Sequence, residues 1–186
     1  MNRAQWVEDN SPLAVEVCRG SGIFPETLLA MAITESQRNV NGVYVPGASK
    51  LASKYNNYFG IKYYPGFNGN KVLLTTNEVY KGETVTIKDT FCIYPTKRAG
   101  FKGYINFLKS QSRYKKVFKA PDYVSQIAAI AAAGYATAPN YTEVVTSVAR
   151  SIKEIIPKVR SFAAVVVPVV GLLSGFLLAN EQKTTD

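Results

Sequence analysis

The pattern of apolar and polar positions along the chain is mainly helical. In seven segments the apolar residues recur with the spacing of one helix face, and these segments predict a mostly helical domain over residues 1–156. The predicted helices span residues 13–18, 21–37, 51–55, 99–108, 114–118, 123–134 and 141–156.

Two of the predicted helices carry recognisable starts. Ser11 is a candidate N-cap with Pro12 at the first helical position, so we expect the first helix to begin there. Pro25 opens the second helix, and Glu26 suits the positive end of its dipole. The buried face of this second helix is predicted to consist of Leu28, Leu29, Ala32 and Ile33.

One stretch has the alternation of β-strands. Residues 71–94 contain two alternating runs on either side of residues 81–83, Lys-Gly-Glu, which is the signal of a β-hairpin. Residues 38–49, rich in Gly, Asn and Pro, are predicted to be a loop. The predicted fold class is therefore α+β, with one hairpin lobe that can form a wall of a cleft.

The C-terminal end of the chain differs from the rest. Residues 162–179 form an uncharged run of 18 residues. As a helix it would be about 27 Å long, close to the hydrocarbon thickness of a bilayer. We expect a linker at 157–161, a transmembrane helix at 162–179 and a polar tail at 180–186. The alternatives are a core helix or an oligomerisation segment, and the sequence does not reveal the oligomeric state.

The orientation of this helix follows from its flanks. Lysine and arginine precede the run, whereas acidic residues accompany the one lysine after it, which predicts that the main domain stays on the cytoplasmic side. The N-terminus shows no basic segment leading into an apolar one, so no secretory signal is expected there.

Composition limits the chemistry that is available. The chain has no histidine, which excludes Ser-His-Asp and Cys-His catalysis and histidine-bound zinc. Cys18 and Cys92 lack metal-ligand spacing and are expected to be buried free thiols, so we expect no metal and no cofactor. Acid–base chemistry must come from carboxylates, tyrosines or lysines.

The net charge of +9 indicates an anionic partner: a nucleic acid, a membrane surface or an acidic polymer such as bacterial cell wall. A nucleic acid is disfavoured, because the basic cluster at 113–119 is the sole compact basic motif in the sequence.

Two glutamates are candidates for acid–base catalysis. Glu35 ends an apolar helix, where desolvation would raise the pKa of its carboxyl and keep a fraction of it protonated. Strand alternation places Glu78 on one face with Thr76 and Tyr80, where it could line a cleft. The ordinary alternatives are a solvated helix end for Glu35 and an exposed strand face for Glu78.

Aromatic and amide side chains are dense in residues 54–67, KYNNYFGIKYYPGF. Sugar rings pack on aromatic faces, and Asn56 and Asn57 can bind hydroxyl and acetamido groups. The same residue types suit nucleic-acid stacking or ordinary core packing, and core packing is the simplest role for Phe59. Farther on, GYATAPNYTEVV predicts a helix connection with Tyr135 and Tyr141 near the junction.

Five segments in order, AITES, LASKYNNYFGIK, TTNEVYKGETVTIKDTFCIYPT, RYKKVF and GYATAPNY, resemble the family 73 glycoside hydrolases. The resemblance covers roughly residues 10–153, and the pairing of NNYFGIK with the distant GYATAPNY is specific. These are endo-β-N-acetylglucosaminidases that cut peptidoglycan. The resemblance implies a lysozyme-like fold and cleavage of the β-1,4 bond between N-acetylglucosamine and N-acetylmuramic acid.

The resemblance also implies roles for particular residues. Glu35 matches the general acid, Glu78 a second acid that activates water, and Tyr135 a tyrosine that borders the active site. Inversion, a covalent intermediate and participation of the substrate acetamido group all remain open. The residues expected to bind substrate are Asn57, Tyr58, Phe59, Gly60 and Tyr141.

The chain departs from the usual family pattern at three places: Cys92 stands for an arginine, residues 99–100 are Ala-Gly instead of Glu-Ser, and Ala138 stands for an aspartate. The rival functions are a lytic transglycosylase and a non-catalytic protein that binds or assembles cell wall. An apolar tail on such an enzyme favours a component of the internal membrane of a phage virion. The alternative location is the host cytoplasm and inner membrane before lysis.

Overall fold

The computed structural model describes residues 1–80 and 83–156. Side chains are described for all of these residues except 77–80 and 83–84. Six α-helices and two antiparallel hairpins occur in these residues, and short 3-10 turns connect two of the helices. The helices are α1 (Arg3–Cys18), α2 (Pro25–Ser36), α3 (Lys50–Tyr55), α4 (Lys97–Ser110), α5 (Tyr123–Ala132) and α6 (Tyr141–Ile152). The strands are β1 (Arg38–Val40), β2 (Val43–Val45), β3 (Lys71–Tyr80) and β4 (Glu83–Cys92).

The predicted linker at 157–161, transmembrane helix at 162–179 and polar tail at 180–186 lie outside the described residues. Among the residues that the structure describes, no helix combines the length and apolarity needed to cross a bilayer.

Helix α1 begins eight residues before the predicted start at Ser11, so that prediction is wrong. The side chain of Asn2 caps the helix by accepting a hydrogen bond from the backbone N–H of Gln5 at 2.9 Å. Ser11 is instead buried inside the helix, where its hydroxyl donates to the Val7 carbonyl oxygen at 2.6 Å. Pro12 lies within the helix, and burial of the upstream turn holds the helix together on its N-terminal side.

Helix α2 is the centre of the domain and confirms its prediction. Pro25 occupies the first turn together with Glu26, and the predicted apolar face is fully buried. Burial extends around the whole helix, because α1, α5 and α6 pack against it from different sides. Glu35 lies in the last turn, so a polar group is carried to the edge of the core by an otherwise apolar helix.

The predicted hairpin is confirmed as β3–β4, paired in register from Lys71 opposite Cys92 to Tyr80 opposite Glu83. Its base is fixed to the domain by the Cys92 N–H, which donates to the Ile61 carbonyl at 3.0 Å, and by a bridge between Lys62 and Phe91.

A second hairpin, β1–β2, lies inside the stretch predicted to be a loop, so that part of the prediction is wrong. Asn41 and Gly42 form its turn, both with positive φ (52° and 84°). An Asn-Gly pair between Val40 and Val43 is the sequence signal of a tight hairpin turn, and it would have identified these strands.

Helix α4 confirms the predicted helix at 99–108 and packs closely on the chain before the hairpin. A Cβ atom at Gly100 would lie 2.0 Å from the Asn56 carbonyl oxygen, so only glycine permits this approach. The buried side of α4 includes Phe101, Tyr104 and Leu108.

Two further helix predictions need correction. Residues 114–118 are not an α-helix but parts of two 3-10 turns, Ser112–Tyr114 and Val117–Lys119. Tyr114 and Val117 are fully buried, and Phe118 packs against the core while partly exposed. Helix α6 begins at Tyr141 as predicted but ends at Ile152, four residues early, and a turn follows. Asn140 occupies the cap position of α6 without a side-chain capping bond.

Candidate active site

Glu35 lies half-buried at the floor of a cleft of about 580 Å³. Three segments form the cleft walls: residues 59–65 before β3, residues 107–114 around the end of α4, and residues 135–138 between α5 and α6. Helix α2 supplies the floor. The aromatic-rich segment and the GYAT segment, distant in sequence, therefore meet around one carboxyl group.

Tyr141, the first residue of α6, holds this carboxyl group in place. Its hydroxyl donates to Glu35 Oε1 at 2.5 Å and also lies 3.5 Å from the Met31 sulfur, one helical turn before Glu35. Tyr141 is only 8% exposed, so the bond forms away from bulk water. Burial, followed by the nearby Glu35 charge, raises the pKa of Tyr141, which therefore remains a hydrogen-bond donor at neutral pH.

The environment of Glu35 favours its protonated form. Burial raises the pKa of the Glu35 carboxyl, whereas the hydrogen bond from Tyr141 and the charge of Arg38 lower it by smaller amounts. A carboxyl group with a raised pKa, open to a cleft, is the arrangement that a general acid requires.

Tyr135 joins two of the cleft walls. Its hydroxyl donates to the Phe59 carbonyl oxygen at 2.8 Å, and its ring lies 6.2 Å from the Tyr141 ring at an angle of 29°. The Tyr135 hydroxyl therefore bonds the opposite wall, and its ring contributes to the cleft surface beside Glu35.

Among the predicted substrate-binding residues, Gly60 lies in the cleft wall. Its φ of +62° and the open space beside it place bare backbone at the surface. Phe59 contributes backbone there, because its ring is buried and stacked on Tyr104 with a centroid distance of 4.1 Å.

Asn57 and Tyr58 are not brought to the cleft. The Asn57 side chain is 1% exposed; it donates to the carbonyls of Ile61 and Cys92 and accepts from the Ile61 N–H, all between 2.9 and 3.0 Å. The Tyr58 ring packs edge-on against Phe101 at 5.5 Å. In this structure both residues support the 59–65 wall of the cleft from the core side.

Glu78 lies in the second half of β3, near the turn of the hairpin, and is paired with Val85 of β4. In the part of β3 with described side chains, positions 72, 74 and 76 are less exposed than positions 71, 73 and 75. The side chain of Glu78 lies outside the described part of the chain, so its predicted role as second acid stays a prediction.

Several cleft residues had no assigned role in the sequence. Lys62 lines the cleft and forms an ion pair with Asp89 at 2.8 Å. Arg113 and Tyr114 line the opposite side and were noted only within the basic cluster and the RYKKVF segment. The sequence feature that could have identified them is their position, because they follow directly on the end of the helix that forms one wall.

Both cysteines are buried thiols outside any disulfide, as predicted. Burial raises the pKa of Cys92 to about 11, and its thiol lies 3.5 Å from the Lys62 carbonyl oxygen. Across the described ranges, no group of three or more potential ligands from His, Cys, Asp and Glu is suited to a metal ion.

A desolvated carboxylic acid at the floor of an open cleft, in a helical domain with small sheets, is the arrangement expected of a lysozyme-like glycoside hydrolase. The glucosaminidase family model, described as mannosyl-glycoprotein endo-beta-N-acetylglucosaminidase, matches residues 11–154. The chain belongs to this family, which confirms the resemblance seen in the sequence.

Individual comparisons agree with this assignment. The glycoside hydrolase domain of FlgJ from Salmonella typhimurium superposes with a TM-score of 0.61 at 25% identity, covering 89% of this chain and 97% of that one. This confirms the predicted lysozyme-like fold. Exo-glucosaminidase LytG of Bacillus subtilis is 32% identical over 131 residues, which cover 68% of this chain and 43% of LytG. Peptidoglycan hydrolase FlgJ of Vibrio parahaemolyticus is 30% identical over 149 residues, which cover 80% of this chain and 47% of that protein. The chain spans less than half the length of these two relatives.

Proposed function

We propose that this protein hydrolyses the β-1,4 bond between N-acetylglucosamine and N-acetylmuramic acid in peptidoglycan, with Glu35 as general acid. The observation that carries the proposal is the state of Glu35: a half-buried carboxyl with a raised pKa at the floor of a cleft. Family membership supports a glycosidase, and the relatives named as a glucosaminidase and a peptidoglycan hydrolase support the bond and the polymer.

In the proposed reaction, Glu35 gives its proton to the glycosidic oxygen as the bond from that oxygen to the anomeric carbon breaks. The resulting Glu35 carboxylate keeps the hydrogen bond from Tyr141, which is stronger to the charged form than to the neutral one. Tyr141 therefore stabilises the state that forms as the proton leaves. Water then attacks the anomeric carbon and releases its own proton to a base.

Glu78 is our candidate for that base. By strand alternation we expect Glu78 to face the same side of β3 as Thr76, and the hairpin base is fixed beside the cleft wall through Ile61. We expect Glu78→Gln to lower the rate of wall digestion strongly while leaving the fold unchanged. A mutant with the full rate would remove Glu78 from the mechanism.

Tyr135 and Gly60 complete the proposed site. Tyr135 ties the 135–138 wall to the 59–65 wall and presents its ring beside the acid, while Gly60 presents backbone N–H and C=O groups to the sugar. Asn57, Tyr58 and the ring of Phe59 support this wall from the core.

The experiment is product analysis of purified sacculi digested by the full chain. After borohydride reduction, mass spectrometry distinguishes the outcomes: N-acetylglucosaminitol ends support the proposal. N-acetylmuramitol ends indicate a muramidase, and 1,6-anhydromuramic ends a lytic transglycosylase. Protein that binds sacculi without releasing soluble fragments indicates a non-catalytic wall-binding protein. Glu35→Gln should abolish release, whereas Glu8→Gln, at an exposed position of α1, serves as the matched control.

We also propose that residues 162–179 anchor the protein in a membrane, with the internal membrane of a phage virion as the favoured location. The uncharged run of 18 residues supports this proposal. A chain ending at residue 156 should stay in the supernatant when vesicles are pelleted, and the full chain should pellet until detergent is added. Detection in purified virions would support the virion, whereas a full chain that stays in the supernatant would refute the anchor.

A further inference from the structure

Arg113 brings a positive charge to the cleft that contains Glu35. It belongs to the 3-10 turn Ser112–Tyr114 that follows α4, and its side chain is exposed and lines the cleft. Arg113 also lies close to Gly134, the residue before the 135–138 wall, because a Cβ atom at Gly134 would be 3.9 Å from Arg113 Nη1. Arg113 thus lies where the 107–114 wall approaches the segment that leads to Tyr135.

The charge of Arg113 is not neutralised by the described part of the chain. No carboxylate there forms an ion pair with it, whereas the other cation of the cleft, Lys62, is paired with Asp89 at 2.8 Å. Glu35 is the one acidic residue among the described lining residues, and its raised pKa reduces its negative charge. The cleft is therefore positive on the Arg113 side.

The Arg113 guanidinium rests on a rigid support. Its central carbon lies 4.8 Å from the centroid of the Tyr114 ring, and Tyr114 is fully buried. The Tyr114 ring is in turn packed against Phe107 at 5.8 Å and Tyr135 at 6.4 Å. A guanidinium stacked on a fixed ring loses less conformational freedom when it binds a ligand than one on a free side chain does.

We infer that Arg113 is a specificity residue that binds a carboxylate of the peptide stem carried by the muramic acid residue. The inference rests on the proposed function. A planar guanidinium matches a carboxylate with two parallel hydrogen bonds, and neutral sugar hydroxyls offer no such partner. Recognition of this carboxylate would select peptidoglycan strands over uncharged polymers of N-acetylglucosamine.

The test compares two forms of the same wall. Sacculi are first stripped of phosphodiester polymers with hydrofluoric acid, and in one half the carboxyl groups are converted to neutral amides with carbodiimide and ammonia. The rate of reducing-end release gives kcat and KM for each form. The variants are Arg113→Gln, Arg113→Lys and, as matched control, Lys115→Gln, which removes one exposed charge from the same segment outside the cleft lining.

On the native wall, Arg113→Gln should raise KM about tenfold with kcat nearly unchanged, because one charge-assisted bidentate contact is lost. Arg113→Lys should recover part of the loss, since it restores the charge but not the planar fork. On the amidated wall, wild type and Arg113→Gln should have the same KM. Lys115→Gln should match wild type on both.

Equal losses on both walls, or equal losses in Arg113→Gln and Lys115→Gln, would overturn the inference. A third portion of sacculi is left untreated with hydrofluoric acid, and a loss seen on it but on neither stripped wall would assign Arg113 to phosphate instead and would also overturn the inference. If wild type releases no reducing ends from either wall, the proposed function itself fails, so the two failures are distinguishable.

Discussion

Replacing Glu35 by glutamine should remove activity and at the same time stabilise the folded protein at neutral pH. The amide cannot donate a proton to the glycosidic oxygen, so we expect hydrolysis to fall by about 10²–10⁴-fold. The stability effect arises because folding places the Glu35 carboxyl where burial disfavours its charge. Glutamine has nearly the same shape and carries no charge.

The sign and size of the stability change follow from two opposing contributions. The Tyr141 hydrogen bond at 2.5 Å favours the carboxylate over a neutral acceptor by about 1 kcal/mol, since bonds to charged groups are worth more. The pKa of Glu35 is nevertheless raised, so the cost of burying its charge exceeds this benefit. We therefore expect Glu35→Gln to increase the free energy of unfolding at pH 7.5 by about 1 kcal/mol, or ~2–4 °C in Tm for a chain of this size.

The gain should depend on pH in one direction. Between the ordinary pKa of an unfolded glutamate and the raised pKa of Glu35, the folded state binds more protons than the unfolded state, so wild-type stability falls as pH rises through this window. Below this pH window, residue 35 is protonated in both the folded and the unfolded state of the wild-type protein. The difference in the free energy of unfolding between wild type and Glu35→Gln should therefore vanish.

The assay is thermal unfolding of wild type and Glu35→Gln at pH 4 and pH 7.5, followed by circular dichroism, together with sacculus digestion. Glu8→Gln, at an exposed site, should change neither result. A Glu35→Gln variant that is destabilised at pH 7.5, or equally stabilised at both pH values, would refute the electrostatic reasoning. Activity within tenfold of wild type would refute the assignment of Glu35 as the acid.

Three further predictions follow from side chains around the cleft. Tyr141→Phe removes the bond that lowers the pKa of Glu35, so the alkaline limb of the kcat/KM profile should move to higher pH; an unchanged limb would contradict the contact. Asn57→Ala removes three hydrogen bonds to the backbone of Ile61 and Cys92 and should lower the free energy of unfolding by about 3–5 kcal/mol in urea titration; a stable but inactive variant would instead indicate direct substrate contact. Cys18 and Cys92 should react with a thiol reagent only after unfolding, because both are buried; rapid reaction in the native protein would show that this part of the core opens.

The hydrophobic pattern identified those elements whose burial is on one face or complete. Helix α2 and the β3–β4 hairpin were predicted correctly, because their apolar spacing agrees with their packing. The start of α1 was misplaced because Ser11 and Pro12 resemble a helix start in sequence. In the folded chain Ser11 instead donates to the backbone inside the helix, and the preceding turn is buried through Trp6 and Val7.

The candidate site divides in the same way. The position of Glu35 at the end of an apolar helix followed from local sequence, as did its expected desolvation. The polar partner of that carboxyl did not, because Tyr141 is 106 positions away and no local pattern links the two. Asn57 shows the opposite case: its residue type suggested sugar binding, but packing directs its amide to the backbone of Ile61 and Cys92.

By itself, the sequence determined the fold class and the family and indicated Glu35 as the candidate acid, because these depend on apolar spacing and on residue types in a fixed order. Only the tertiary structure decided which side chains face the cleft, since that depends on how α4, α6 and the 59–65 segment close around α2. It removed Asn57 and Tyr58 from the surface and brought Tyr141 to Glu35. It also left Arg113 in the cleft without a carboxylate partner in the described part of the chain. A side chain's chemistry is local, but its access to solvent and to other groups is a property of packing.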